Sequence, residues 1–329
     1  MTFKWKKLGR VFDPSAFKGK NWLNEFAQAP SVLIFDDIVR VYFSCRPKPD
    51  ENGLYVSYSA YVDLDRNNLF EILNVAEEPV LKLGELGTFD EFGTYPVSVI
   101  RNGNEILAYY AGHTRCESVP FNTAIGVAIS NDSGKTFHKP GAGPVLSYSP
   151  DEPFGLSGPK IKRFNDLWYL YYIVGRKWIM ADGRAELIYR IRMATSTDAI
   201  NWTKLNKNII PGKLGENEVQ ASPDVFFYGG KYHMFFCYML TPDFRKNKEK
   251  SYRIGYAHSD DLVNWHRDDS KAGIDVSEEG WDSEMVAYPH VFELDGNIYM
   301  FYLGNQVGRY GFGLAQLEGV VSSLEGQSV

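Results

Sequence analysis

Cysteine is scarce: Cys45, Cys116 and Cys237 are the only three in 329 residues, an odd number without metal-ligand spacing. They neither staple a small fold nor outline a zinc site, and thiols at Cys45 and Cys237 inside apolar runs suit a reducing compartment. No stretch approaches the roughly 18 apolar residues of a membrane-spanning helix, so no span is expected. The opening Met-Thr-Phe-Lys-Trp-Lys-Lys-Leu-Gly-Arg is basic but leads into no apolar segment, which argues against a secretory leader and for a cytoplasmic protein. Clustered positive charge is missing as well. With a net charge of -6 and its Lys and Arg scattered, the chain lacks the basic face that neutralises nucleic-acid phosphates. It also lacks a phosphate loop, a Gly-x-Ser-x-Gly elbow, a dinucleotide glycine pattern and a helical zinc motif.

What it has is one sentence written five times. Each copy carries a proline, an apolar run, a Gly/Asn/Asp turn and a second run dense in Tyr and Phe. The prolines are Pro30, Pro96, Pro159, Pro223 and Pro289, at intervals of 66, 63, 64 and 66 residues. A long fixed period is the mark of a solenoid or propeller. Turns at Asp36-Asp37, Asn102-Gly103, Asn165-Asp166, Gly229-Gly230 and Asp295-Gly296 punctuate hairpins. Third strands follow at 53–59, 123–130, 188–196, 252–259 and 311–317, and short fourth strands end in Phe137, Trp202 and Trp265. Four antiparallel strands per repeat predict an all-β, five-bladed β-propeller, a single domain spanning 1–329.

The fifth repeat has no fourth strand of its own, because 318–329 turns polar and reads as a frayed tail. Residues 4–11 are expected to supply that strand and close the ring. The turns Ser130-Asn-Asp132, Ser196-Thr-Asp198 and Ser259-Asp-Asp261 read as structural, their carboxylates bonding backbone N–H groups just ahead.

Chemistry is expected at one mouth of the axial channel. Glu25, Glu91, Glu218 and Glu284 each stand five residues before a repeat proline; the third repeat has Asp151-Glu152, and Asp90 adjoins Glu91. Converging carboxylates repel one another, which points to a working acidic cup. Paired carboxylates suit glycosidic cleavage, with Glu91, Glu218 and Glu284 the catalytic candidates and Glu25, Asp90 and Glu152 beside them. For water attack the pair would stand roughly 6.5 to 9.5 Å apart. Arg46, His113, Arg115 and Arg176 end the second strands, and Lys160, Asp224 and His290 follow the prolines. Arginine forks there suggest an anionic group on the substrate. Trp178 and Trp281, with Trp22, Tyr95 and Tyr288, are candidates to stack on sugar rings. His113 and His290 share no ligand spacing, so no metal or cofactor is expected, although an axial calcium ion would be compatible with the acids.

The hairpins at 230–236 (Gly-Lys-Tyr-His-Met-Phe-Phe) and 296–302 (Gly-Asn-Ile-Tyr-Met-Phe-Tyr) and the Ser-Asp-Asp-Leu-Val-Asn-Trp turn at 259–265 resemble the five-bladed propeller glycosidases. That superfamily holds the arabinanases and β-xylosidases, the invertase and levanase group and the mannoside phosphorylases, and the likeness covers about residues 20–317. It implies a saccharide or glycoside substrate. Its members usually place aspartates before the first two prolines and a glutamate in the third blade, where this chain has Ala29, Tyr95 and Gly158. Hydrolysis is the leading expectation. Phosphorolysis or sugar transfer in surface-polysaccharide metabolism, and saccharide binding without catalysis, stand beside it; oligomeric state is left open.

Overall fold

Aromatic and β-branched residues alternating along short runs favour half-buried strands, and glycine- or aspartate-bearing turns fold the runs into hairpins. The computed structural model describes residues 2–319 apart from Lys18 and Asp182. Its hairpins assemble into five antiparallel sheets arranged as a five-bladed β-propeller.

The N-terminal strand β1 (Trp5–Phe12) belongs to the last blade. Blade 1 holds β2 (Glu25–Ile34), β3 (Ile38–Arg46), β4 (Tyr58–Asp65) and β5 (Ile72–Val75). Blade 2 has β6 (Thr94–Asn102), β7 (Glu105–Arg115) and β8 (Phe121–Ser130), with isolated bridges from Ile129 to His138 and from Ile125 to Leu146 in the fourth position. Blade 3 is β9 (Leu156–Phe164), β10 (Leu167–Ala181), β11 (Arg184–Ser196) and β12 (Thr203–Lys204). Blade 4 is β13 (Glu218–Tyr228), β14 (Lys231–Leu240), β15 (Arg253–Ser259) and β16 (His266–Arg267). Blade 5 is β17 (Ala287–Leu294), β18 (Asn297–Leu303) and β19 (Phe312–Leu317), completed by β1. Trp5 pairs with Leu317 and Phe12 with Phe312, so strands from the two ends of the repeat array close the ring as expected. The expected third strand at 53–59 is displaced: it begins at Tyr58, and Gly53 to Tyr55 instead lie in the wall of the axial cavity. Of the expected tail, 320–329 lie outside the described residues.

Apolar layers fill the spaces between blades. Phe12, Phe43 and Phe301 pack between blades 5 and 1, Tyr42, Val97 and Phe137 between blades 1 and 2, and Tyr109, Leu170 and Tyr172 between blades 2 and 3. Tyr171, Val225 and Trp265 join blades 3 and 4, and Trp5, Phe226, Phe235 and Tyr302 join blades 4 and 5. Each fully buried side chain of this size contributes about 1.5–3 kcal/mol, so the layers hold the ring. The rim aspartates are structural, as expected. Asp132 accepts from the N–H groups of Lys135 and Thr136, Asp198 from Ile200 and Asn201, and Asp261 from Val263 and Asn264.

The repeat prolines mark a device that shapes the axis. Pairing of each innermost strand slips at its proline, as between Gln28 and Ser31 or between Ala221 and Asp224. Such a bulge suits proline, which has no N–H to contribute to the ladder. The preceding residue takes the left-handed region in four blades: Ala29 (φ 54°), Gly158 (φ 59°), Ser222 (φ 50°) and Tyr288 (φ 51°). Together with Tyr95, these residues line one axial cavity.

Candidate functional site

Just beyond the bulge a second ring of contacts stitches the blades. Ser31 accepts the Val99 N–H at 3.1 Å, Ser98 the Ile161 N–H at 3.2 Å, Asp224 the Val291 N–H at 2.6 Å and His290 the Val32 N–H at 3.1 Å. Asp224 and His290 are thus inter-blade staples as well as site candidates. Lys160 breaks the pattern, because it cannot accept. Its ammonium reaches across the axis to the Pro30 carbonyl at 3.1 Å and lies 3.4 Å from His290 Nδ1. Burial pushes the Lys160 pKa down to about 8 and that of His290 to about 4. Burial disfavours the charge on Asp224, but Lys162, the His290 ring and Lys160 around it outweigh that and hold the carboxyl well below its usual range.

The acidic row divides in a way its spacing did not foretell. In blades 2, 3 and 5 a buried acid lies 20 residues before a tyrosine that donates to it: Tyr110 to Asp90 at 2.8 Å, Tyr172 to Glu152 at 2.8 Å and Tyr302 to Asp282 at 3.0 Å. Each acid also meets a cation. Lys139 lies 2.5 Å from Asp90, Lys204 2.6 Å from Glu152 and Lys7 2.7 Å from Asp282. In blade 4 Glu218 meets Arg267 at 2.5 Å, and that guanidinium lies 4.7 Å from the Tyr238 ring centre. Four blades therefore repeat one acid, tyrosine and base unit, buried where the inner strand enters its sheet. These carboxylates are engaged away from the cavity: Asp90, Glu152 and Glu218 are absent from its wall.

The remaining acids are scattered. Glu91 accepts the Gly87 N–H at 2.9 Å in a partly exposed turn outside the wall. Glu25 is clamped by Arg309, with both carboxylate oxygens at 2.9 Å, and accepts from the Tyr55 hydroxyl at 3.1 Å. Glu284 is exposed and lines the cavity, and its carboxylate has no basic partner among the described residues.

The cavity, about 900 Å³, occupies one mouth of the axis. Among the described residues its wall carries Arg46, Arg115, Lys160, Arg184, Arg245 and Arg309 against Glu186 and Glu284, so the expected acidic cup is a cationic one. Several charges are already matched. Glu186 pairs with Arg245 and, at 3.6 Å, with Arg184, and Asp50 lies 3.2 Å from Arg115. Arg46 differs. Its guanidinium lies 4.6 Å from the Phe26 ring centre and 5.4 Å from those of Tyr55 and Tyr95, it donates to Gln28 Oε1 at 3.3 Å, and its buried Nε has no partner. No carboxylate pairs with it among the described residues. His113 donates from Nε2 to the Tyr95 carbonyl at 2.9 Å, and burial lowers its pKa to about 4, so it is neutral there.

Trp178 lines the wall beside Phe121, their ring centres 5.6 Å apart. Trp281 instead packs on Tyr302 at 5.2 Å, and Arg176 turns outward to the Asp151 carbonyl at 3.0 Å; neither reaches the wall. The structure thus brings Arg46, Tyr95, His113, Arg115, Lys160, Trp178, Glu284 and Tyr288 together at one cavity and leaves the other candidates outside it. Sequence reasoning missed Tyr189, Arg245, Tyr252 and Arg309. Arg245 and Arg309 lie in the connections between second and third strands of blades 4 and 5, and Tyr189 and Tyr252 lie in or just before third strands. Among the described residues no cluster of three or more His, Cys, Asp or Glu is placed to hold a metal, and no helix is long and apolar enough to cross a membrane.

No family model matches the chain. The uncharacterized protein Rv1502 of Mycobacterium tuberculosis is 35% identical over 315 residues, covering 95% of this chain and 99% of that protein. A 1,2-beta-oligomannan phosphorylase of Thermoanaerobacter sp. is 29% identical over 199 residues, 59% of this chain and 58% of the relative. Among solved structures, a glycoside hydrolase superposes over 98% of this chain and 94% of its own with a TM-score of 0.74 at 18% identity. The beta-1,2-mannobiose phosphorylase of Listeria innocua, solved with its disaccharide, covers 97% of both chains with a TM-score of 0.67 at 12% identity. The chain belongs to the family of the mycobacterial protein Rv1502, on the five-bladed propeller fold it shares with glycoside hydrolases and mannoside phosphorylases.

Proposed function

We propose that the protein is a carbohydrate-active enzyme that cleaves a glycosidic linkage with phosphate as the attacking group. Arg46 carries the reading: a guanidinium in the wall of a cavity large enough for a disaccharide, packed among three aromatic rings and matched by no carboxylate among the described residues. Such a fork suits a phosphate oxygen pair, and a site screened by aromatic rings strengthens the attraction.

The count of acids points the same way. Hydrolysis by two carboxylates requires one to protonate the leaving oxygen and another to activate water or attack carbon. Here Glu186 is committed to Arg245 and Arg184, which leaves Glu284 as the one uncommitted carboxyl in the wall among the described residues. Phosphate brings its own nucleophilic oxygen and needs only a proton donor. In that scheme a phosphate oxygen bonds to the anomeric carbon, the bond to the leaving sugar oxygen breaks, and that oxygen takes the proton from Glu284. The partial likeness to a 1,2-beta-oligomannan phosphorylase supports a mannoside as the glycosyl donor.

The test is incubation with β-1,2-mannobiose with and without inorganic phosphate. Mannose 1-phosphate formed only with phosphate, and lost in Arg46→Gln, is the expected result. Equal release of mannose without phosphate would establish hydrolysis instead. A second reading, saccharide binding without turnover, is favoured by Ala29, Tyr95 and Gly158 standing where the resembling enzymes carry acids, and it predicts binding with no product.

A further inference from the structure

Four tyrosines from four different elements meet in the cavity wall: Tyr95 in β6, Tyr189 in β11, Tyr252 just before β15 and Tyr288 in β17. Their hydroxyls form two pairs, Tyr95 with Tyr288 at 3.1 Å and Tyr189 with Tyr252 at 2.7 Å. The rings of Tyr252 and Tyr288 meet edge-on at 6.3 Å, so the pairs are continuous. Blades 2 and 5 are not neighbours in the ring. The Tyr95 and Tyr288 contact therefore crosses the axis.

Donor arithmetic gives this quartet a role. A phenol has one O–H to donate. Within each pair one hydroxyl donates to the other, and the second proton has no protein acceptor among the described residues. Two O–H donors are thus left over in the cavity wall, and leaving a donor without an acceptor once a ligand displaces water is costly. Burial raises the pKa of all four phenols, so they remain neutral donors. Met239, Phe244 and Met285 line the wall with them. An apolar, uncharged surface with two fixed donors suits a neutral pyranose, whose hydroxyls accept and whose C–H face packs on aromatic rings. It does not suit an anion, which has Arg46 beside Tyr95.

We propose that the Tyr95, Tyr288, Tyr252 and Tyr189 quartet is the subsite that holds and orients the uncharged sugar ring, with Tyr95 marking where that ring meets the anionic group on Arg46. The inference rests on the cavity being a saccharide site, and it assigns the two ends of the substrate to two sets of residues.

Calorimetric titration of β-1,2-mannobiose and, separately, inorganic phosphate tests it. Removing one hydroxyl frees its neighbour's proton, so both members of a pair are changed together: Tyr95→Phe with Tyr288→Phe, and Tyr189→Phe with Tyr252→Phe. Each double variant is expected to weaken mannobiose binding about tenfold, the loss of one or two hydrogen bonds, while phosphate binding stays at the wild-type level. Arg46→Gln should do the reverse. Wild-type mannobiose affinity in both double variants overturns the assignment, as does a wild-type protein that binds phosphate but neither mannobiose nor mannose. Binding through the quartet without any product would refute the phosphorolytic reading and leave this assignment standing.

Discussion

Glu218→Gln separates a structural carboxylate from a catalytic one. The side chain is fully buried, and all its capacity is used: Oε1 accepts from Arg267 at 2.5 Å and Gln220 at 2.8 Å, Oε2 from the N–H groups of Lys213 and Leu214 at 2.6 Å each. Burial alone would raise its pKa, but these hydrogen bonds outweigh it and the net shift is downward. Glutamine keeps the shape and replaces one acceptor oxygen by an NH2, which must then face donors on either side. Breaking one side of a buried ion pair costs about 3–5 kcal/mol. Arg267 keeps Asp269, 3.0 Å away, so the lower end, about 3 kcal/mol, is expected. Urea unfolding followed by aromatic fluorescence should show a lower midpoint at unchanged slope. Glu91→Gln and Glu284→Gln, at exposed or partly exposed side chains, should stay within about 0.5 kcal/mol of wild type. A wild-type midpoint for Glu218→Gln would refute the buried acid, tyrosine and base unit as a stabilising element. The sign with pH is also set: with a lowered folded pKa, the contribution of Glu218 is present above the unfolded carboxylate range and fades in acid.

Two further outcomes follow from the same contacts. His290 has its pKa lowered by burial from 6.5 to about 4, so in that window the unfolded chain takes up a proton that the folded protein refuses. Stability should fall by about 2 kcal/mol on this account between about pH 7 and about pH 5, and His290→Gln should flatten the dependence of the urea midpoint. Lys7→Met leaves Asp282 buried with Tyr302 alone at the seam where β1 closes blade 5; it should destabilise by about 3 kcal/mol and hasten proteolysis near the N-terminus.

The fold was legible because its determinants are local and repeated. A proline sits at each inner-strand bulge, a turn at each hairpin, and a Ser-x-Asp loop at three rims, so the period alone led to five blades and to closure by the N-terminal strand. The site was legible only in part, because neighbouring residues near a bulge face different ways. Asp90 is buried while Glu91 lies in an outer turn, and Asp282 is buried while Glu284 reaches the cavity. An alignment on prolines with a constant offset therefore mixed the two classes. The constant interval of 20 residues from Asp90, Glu152, Glu218 and Asp282 to Tyr110, Tyr172, Tyr238 and Tyr302 was the signal that would have sorted them. Tyr95 and Tyr288 stood out by preceding prolines. Tyr189, within a third strand, and Tyr252, just before one, reach the axis only through packing that no spacing encodes.

A crystal structure grown with β-1,2-mannobiose and phosphate tests the central claim most directly. The account predicts phosphate oxygens within hydrogen-bonding distance of Arg46 and a sugar ring over the four tyrosines, with Glu284 facing the leaving oxygen. Ligand density at the opposite mouth of the axis, or a phosphate held away from Arg46, would contradict it.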